Sequence, residues 1–426
     1  MLKGGFLGHG VLEMRLGIID YQFPRGGVER FIEGILNNLP EDEVDITVIS
    51  FDYALEGYRD LAKRLNRPIT VTEHSPLVHR MAAQIGRETT FSWVRNFEVP
   101  ADHWKDIDLA WFPAVQRHVI RRDCLARTVA TFHDAIPVEF GDYMADRRDA
   151  VARTGQLYLK ALDDFMTRRL MGSLAKVVVD ARRTADYLAR AYGPLPRQPD
   201  VVYPSTAHMR EILPEPIERL GLPERFIMFP ANISPHKNHE CLLIALAKVK
   251  AEAPGHFLPL VLSGSSTLGI ALGGDYRADA LQSLVARLGL EIGRDLHLLG
   301  TVSDGQYRAA LERASGLVFP TLMEGYGFPP VEAAMLGVPV VCSDIEIERE
   351  TLGRLDIPSL WFDATSVDDT ARALIELGRD REALASRAAA AAASIRDDSW
   401  NDVGQRYREI FRQQAELAAF HEKYGA

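Results

Sequence analysis

The sequence predicts an α/β protein of two successive doubly wound, Rossmann-like halves joined by a linker. Three observations carry this expectation. The chain has 426 residues, more than one ordinary core organises. Short apolar runs alternate with segments of helical period along most of its length. Residues 206–224, rich in proline, glycine and charge, interrupt the series and divide it in two. Sheets of this kind bind ligands beyond the carboxyl ends of their strands, so a ligand is expected in the cleft where the halves face each other.

Residues 1–13 lack an apolar signal region and read as a loose extension, with Met14 as an alternative start. The first half covers 14–205. Residues 14–20 form a first strand, and Pro24 with Gly26 and Gly27 breaks it. Phe31, Ile32, Ile35 and Leu39 then recur at helical spacing within 28–39. Strands are expected at 46–50, 108–112, 128–132, 175–179 and 201–203, with helices at 151–171 and 184–192. The second half covers 225–395. It opens with a strand at 226–229 and a helix at 238–251 that places Leu242, Leu243, Leu246 and Val249 on one face. Strands follow at 258–263, 296–299, 316–320 and 339–343. Residues 396–426 carry a last helix, expected over 400–421.

The net charge of −10 argues against a nucleic-acid partner, which usually demands a basic domain. The three cysteines, Cys124, Cys241 and Cys342, are too far apart for a metal pair or a disulfide framework, which suits a reducing cytoplasm. No apolar run reaches the roughly 18 residues that cross a bilayer. Arg168 and Arg169 could touch an anionic membrane surface, although a solvated basic face is the plainer reading. No metal site is expected. Asp106 and Asp108 mimic a D-x-D pair, but they precede a strand and read as a turn. Nothing in the sequence sets an oligomeric state.

Four segments could carry chemistry. The stretch from Glu324 to Glu332 (EGYGFPPVE) follows a strand. Gly325 and Gly327 allow close approach of the backbone to a ligand, and Pro329 and Pro330 suit the first turn of a helix. Such a helix start presents free N–H groups to an anion, with Glu324 and Glu332 placed to accept hydrogen bonds from hydroxyls. The plainer reading is a glycine loop before an ordinary helix with Glu332 in water. Pro235-His-Lys-Asn238 repeats the strand-loop-helix layout; Lys237 could neutralise a phosphate, or lie exposed, and Asn238 could be the N-cap. Gly26 and Gly27 sit in the first strand-to-helix turn, where backbone N–H groups can face a pyrophosphate or simply turn. His133 ends a strand and could bond a hydroxyl or move a proton, or be a satisfied core histidine. No fingerprint of a dinucleotide oxidoreductase, P-loop or zinc protease is present.

Taken in order, these residues resemble the retaining family 4 glycosyltransferases of the GT-B fold. The E-x7-E signature is complete at Glu324 and Glu332, the segment from Leu299 to Asp304 is similar to the family's strip beside the nucleotide base, and Trp400 resembles the tryptophan that opens the last helix. The resemblance is closest over 225–350. It implies two domains facing each other across a cleft, with the C-terminal helix crossing back to the N-terminal domain. It implies transfer of a hexose from a nucleotide sugar, with retention and with no cofactor or metal, to a glycan or lipid-linked acceptor. GDP-mannose is weakly favoured as donor by the P-H-K-N-H form. Glu332 would bind the ribose and Glu324 the sugar ring. Gly325, Tyr326, Gly327 and Phe328 would hold sugar and diphosphate through their backbone. Lys237 would pair with the diphosphate under Gly26 and Gly27, Thr301 and Asn232 would line the donor site, and His133 would stand near the reacting carbon.

Two positions depart from the family pattern. Asn232 stands where many members carry an arginine, so one diphosphate cation is missing. Residues Val179 to Thr184 replace a serine-rich string. A nucleotide-sugar epimerase and a non-catalytic partner subunit of the same fold remain as alternatives.

Overall fold

The computed structural model describes residues 14–20, 26–50, 52–73, 104–114, 122–134, 136, 167–195, 197–274, 276–396 and 399–424. They form two parallel sheets. The first contains β1 (Met14–Ile19), β2 (Val44–Ser50), β3 (Thr70–Glu73), β4 (Leu109–Phe112), β5 (Thr128–Phe132), β6 (Lys176–Val179) and β7 (Asp200–Val201), in the order β3-β2-β1-β4-β5-β6-β7. The second contains β8 (Ile227–Pro230), β9 (Leu260–Ser263), β10 (Leu296–Gly300), β11 (Gly316–Phe319), β12 (Val340–Ser343) and β13 (Ser359–Phe362), in the order β10-β9-β8-β11-β12-β13.

Every pairing in both sheets is parallel. Helices therefore cover both faces of the central strands, which explains why β4, β5, β9, β11 and β12 are buried at every position. The strand order reverses between β1 and β4 in the first sheet and between β8 and β11 in the second. Those two switch points open a crevice at the carboxyl ends of the strands. The loops leaving β1, β8 and β11 are those that carry Gly26-Gly27, Lys237 and Glu324.

Several boundaries differ from the sequence expectation. β3 and β13 were not foreseen. Each is a four-residue edge strand, and β13 is only partly buried, so neither shows the apolar run that marks a central strand. Of the helix expected over 151–171, residues 151–166 lie outside the described residues and 167–171 are helical. Residues 206–224 contain two 3₁₀ turns, Ala207–Arg210 and Glu218–Leu220. Met209 from the first of these is fully buried in the core of the second half.

The last helix, Trp400–Tyr424, returns to the first sheet. Val403, Tyr407 and Phe411 join the core formed by β1, β2 and the Gly27–Leu36 helix. The Tyr407 hydroxyl lies 2.9 Å from Thr131 Oγ1, and Arg408 holds Glu43 by two bonds of 2.6 and 2.7 Å. Gly34 has no side chain because the Trp400 ring occupies that space. None of the described helices is long and apolar enough to cross a membrane.

Candidate active site in the cleft

The loop after β11 is built by its glycines. Gly325 passes so close to the first half that a methyl group there would overlap the His133 carbonyl oxygen. Its own carbonyl accepts a bond of 3.0 Å from Thr184 Oγ1, again from the first half. Gly327 has φ of 80°, a left-handed conformation that favours glycine, and is the N-cap of the Phe328–Met335 helix. That helix starts at Phe328, so both prolines fall inside its first turn, as expected. Tyr326 is buried. Its ring stacks edge-on against Phe328 at 5.2 Å, and its carbonyl accepts from Thr351 Oγ1 at 2.9 Å. What this residue offers a ligand is its backbone.

Lys237 ends a 3₁₀ turn, Pro235–Lys237, that follows β8. Its ammonium donates to Glu324 Oε1 at 2.6 Å, and both side chains are largely buried. The reading of Lys237 as an exposed loop lysine is thereby excluded. Asn238 does occupy the N-cap of the next helix, but its side chain makes no capping bond. With φ of 59° it turns its amide to the carbonyls of Pro320 and Ala364, at 3.1 and 2.7 Å. This ties the Lys237 turn to the Glu324 loop. Asn232 is exposed and accepts from the Ser234 N–H within its own turn, at 3.0 Å. Thr301 is also exposed, just beyond β10. The two stand at the ends of β8 and β10, on either side of β9, where Gly264 packs on the backbone of Ala231 and Asn232 and donates to the Gly300 carbonyl at 2.7 Å.

Glu332 is not in water. It is 2% exposed and surrounded by three elements. Oε2 accepts from the Tyr307 hydroxyl at 2.6 Å. Oε1 accepts from Arg30 Nη1 at 3.2 Å, and His208 Nε2 stands 3.7 Å from the same oxygen, beyond a hydrogen bond. Burial alone would raise this carboxyl, but His208, Arg30 and Tyr307 outweigh it and hold Glu332 below the usual glutamate range. Burial and Glu332 push the Tyr307 hydroxyl far up.

From the first half, Gly26 (φ 81°) caps the Gly27–Leu36 helix, and Gly27 lies against the Phe328 ring. The N-termini of two helices therefore meet at the cleft. His133 has both ring nitrogens engaged: Nδ1 lies 2.7 Å from Asp180 Oδ2, and Nε2 lies 2.7 Å from the Pro113 carbonyl. Burial lowers its pKa, but Asp180 and the Pro113 carbonyl outweigh that and hold it above the usual histidine value. For its ring to reach a sugar, one of these bonds must exchange. The adjacent Asp134 is raised by burial and by Glu324, against the Ile136 N–H and Lys237.

The structure thus brings Gly26, Gly27, Lys237, Glu324, Gly325, Tyr326, Gly327, Phe328 and Glu332 to one cleft, with His133 behind the loop. Asn232 and Thr301 lie at the carboxyl edge of the second sheet. Sequence reasoning missed Arg30, His208, Tyr307, Asp134 and Glu348. The last lies fully buried behind Gly327, where a methyl group would overlap its carboxylate. Arg30 was within reach, one turn beyond Gly27 on the expected helix. The others come together only in the fold.

Two Rossmann-like halves with a cleft at their switch points and a returning last helix define the GT-B architecture. Residues 215–394 match the model of the family Glycosyl transferases group 1. The chain is 28% identical over 178 residues to the O-antigen chain mannosyltransferase B of Escherichia coli, a match covering 42% of this chain and 39% of that protein. It is 26% identical over 212 residues to a D-inositol 3-phosphate glycosyltransferase of Streptomyces bingchenggensis (strain BCW-1), covering 47% and 45%. Less than half the length of these two relatives is therefore matched. Among solved structures, Anabaena HepE in complex with UDP and glucose superposes over 94% of this chain and 100% of its own, with a TM-score of 0.63 and 16% identity. The lipopolysaccharide glycosyltransferase WaaG covers 93% and 99%, with a TM-score of 0.60 and 14% identity. At these identities the likeness concerns the fold.

Proposed function

We propose that the protein is a retaining family 4 glycosyltransferase. It moves a hexose from a nucleoside diphosphate sugar to a glycan or lipid-linked acceptor in polysaccharide or glycoconjugate assembly. The observation that carries this reading is the pairing of Lys237 with Glu324 at 2.6 Å, beside a helix N-terminus and beneath the His133–Asp134 corner of the other half. A cation, a carboxylate and a helix N-terminus stand within one loop cluster, groups suited to transfer of a glycosyl group from a diphosphate.

The diphosphate leaving group would be met by Lys237 and the helix start at Phe328, an electrostatic form of catalysis. Glu332 would take the ribose hydroxyls and Glu324 those of the sugar. Retention would follow from departure and attack on one face, steered by the loop from Gly325 to Phe328. Closure of the halves would keep water from the bond being broken. The Escherichia coli relative's name supports mannosyl transfer, the P-H-K-N-H form weakly favours GDP-mannose as the donor, and the HepE complex holds UDP. A cytoplasmic protein with peripheral membrane contact through the exposed Arg168 and Arg169 completes the reading.

The test is incubation of the protein with a panel of nucleotide sugars and acceptor glycans, reading nucleoside diphosphate release. Release from one donor that depends on acceptor is expected, and Lys237→Ala should abolish it with the thermal transition intact. Conversion of the donor to an epimer without acceptor would favour the epimerase. No turnover and no donor binding would leave a non-catalytic subunit.

A further inference from the structure

We propose that Arg30 binds the diphosphate of the sugar nucleotide, as the first half's counterpart of Lys237. The inference rests on the reading of the cleft as a donor site. A sugar nucleotide carries about two negative charges on its diphosphate, and Lys237 can meet one of them. Asn232 brings no charge. His236 is pushed down to about 3 by burial, Lys237 and Arg277, so it is neutral at physiological pH. Arg277 is committed to the Ile233 carbonyl and to Glu240.

Arg30 lies one turn inside the Gly27–Leu36 helix, whose first residue touches Phe328. Its guanidinium crosses from the first half to the second and bonds Glu332 at 3.2 Å and Asp304. Each glutamate of the E-x7-E pair thus has one permanently charged partner: Lys237 on Glu324, Arg30 on Glu332. The parallel indicates one exchange made twice. Sugar hydroxyls would replace Lys237 on Glu324, and ribose hydroxyls would replace Arg30 on Glu332. Each freed cation would turn to the phosphates between them. The planar guanidinium fork suits two phosphate oxygens at once. Since Arg30 belongs to the other half, the same contact would couple donor binding to closure.

Calorimetry on the full chain would compare GDP and UDP with guanosine and uridine, for wild type, R30A and R30K. We expect the preferred diphosphate to bind R30A on the order of 10–100-fold more weakly than wild type, with nucleoside affinity unchanged or tighter. R30K should fall between them. Unchanged diphosphate affinity in R30A, or an equal loss for diphosphate and nucleoside, would overturn the proposal. If R30A does not fold, R30K decides: a loss confined to the diphosphate supports the proposal and an equal loss overturns it. Failure of wild type to bind any of the four would instead remove the donor-site reading.

Discussion

Glu348 shows what a single carboxylate costs in this cleft. It is fully buried behind Gly327, where the Cys342 side chain and Lys237 favour its ionised form. Burial and the nearby Glu324 raise its pKa well above that of a free glutamate. A raised carboxyl holds its proton in the folded state at pH values where the unfolded chain has lost it. Stability is then fully present below the unfolded pKa and falls as pH rises toward the folded pKa. Glu348→Gln removes this proton linkage with little change of shape. The variant should match wild type in melting temperature near pH 4 and exceed it increasingly toward pH 8. Parallel melting curves across that range would show that Glu348 does not titrate with folding. Glu324, Lys237 and Glu332 were legible in the sequence because their spacing within strand-loop-helix units is local. Glu348, His208 and Tyr307 were not, because each meets the site through tertiary packing and none belongs to a local pattern.

The helix Phe328–Met335 illustrates the element scale. Pro329 and Pro330 cannot donate backbone bonds, which marks a helix start, and Gly327 supplies the left-handed residue before it. The sequence announced all three features. Gly327→Ala would combine a left-handed alanine with overlap on the Glu348 carboxylate. A loss of roughly 1–3 kcal/mol is expected, read as a lower midpoint in chemical denaturation. An unchanged midpoint would mean that the loop relaxes freely. The short edge strands β3 and β13 escaped notice for a related reason. Four residues at a sheet edge bury too little to impose a pattern, whereas the central strands must be apolar on both faces.

At the scale of the whole molecule, the two halves are fastened by contacts that sequence alone could not reveal. Glu350 of the second half accepts backbone N–H bonds from both Arg182 and Arg183 at 2.8 Å, capping the N-terminus of the Arg182–Tyr192 helix. Tyr203 donates to the same carboxylate at 2.6 Å. Together with Arg30 on Glu332 and Thr184 on Gly325, this sets the width of the cleft. The doubly wound plan was legible because it follows from periodicity, and the returning last helix because the resemblance at Trp400 implies it. The cross-cleft pairs were not, because their partners lie more than a hundred residues apart. The central claim is that these halves hold a sugar nucleotide between Lys237, Glu324, Glu332 and the start of the helix at Phe328. A crystal structure of the full chain soaked with the donor that it turns over tests this most directly. The account predicts ribose hydroxyls on Glu332, the sugar ring on Glu324 and phosphate oxygens on Lys237. A donor bound outside this cleft, or inside it with its diphosphate away from Lys237, would contradict the account.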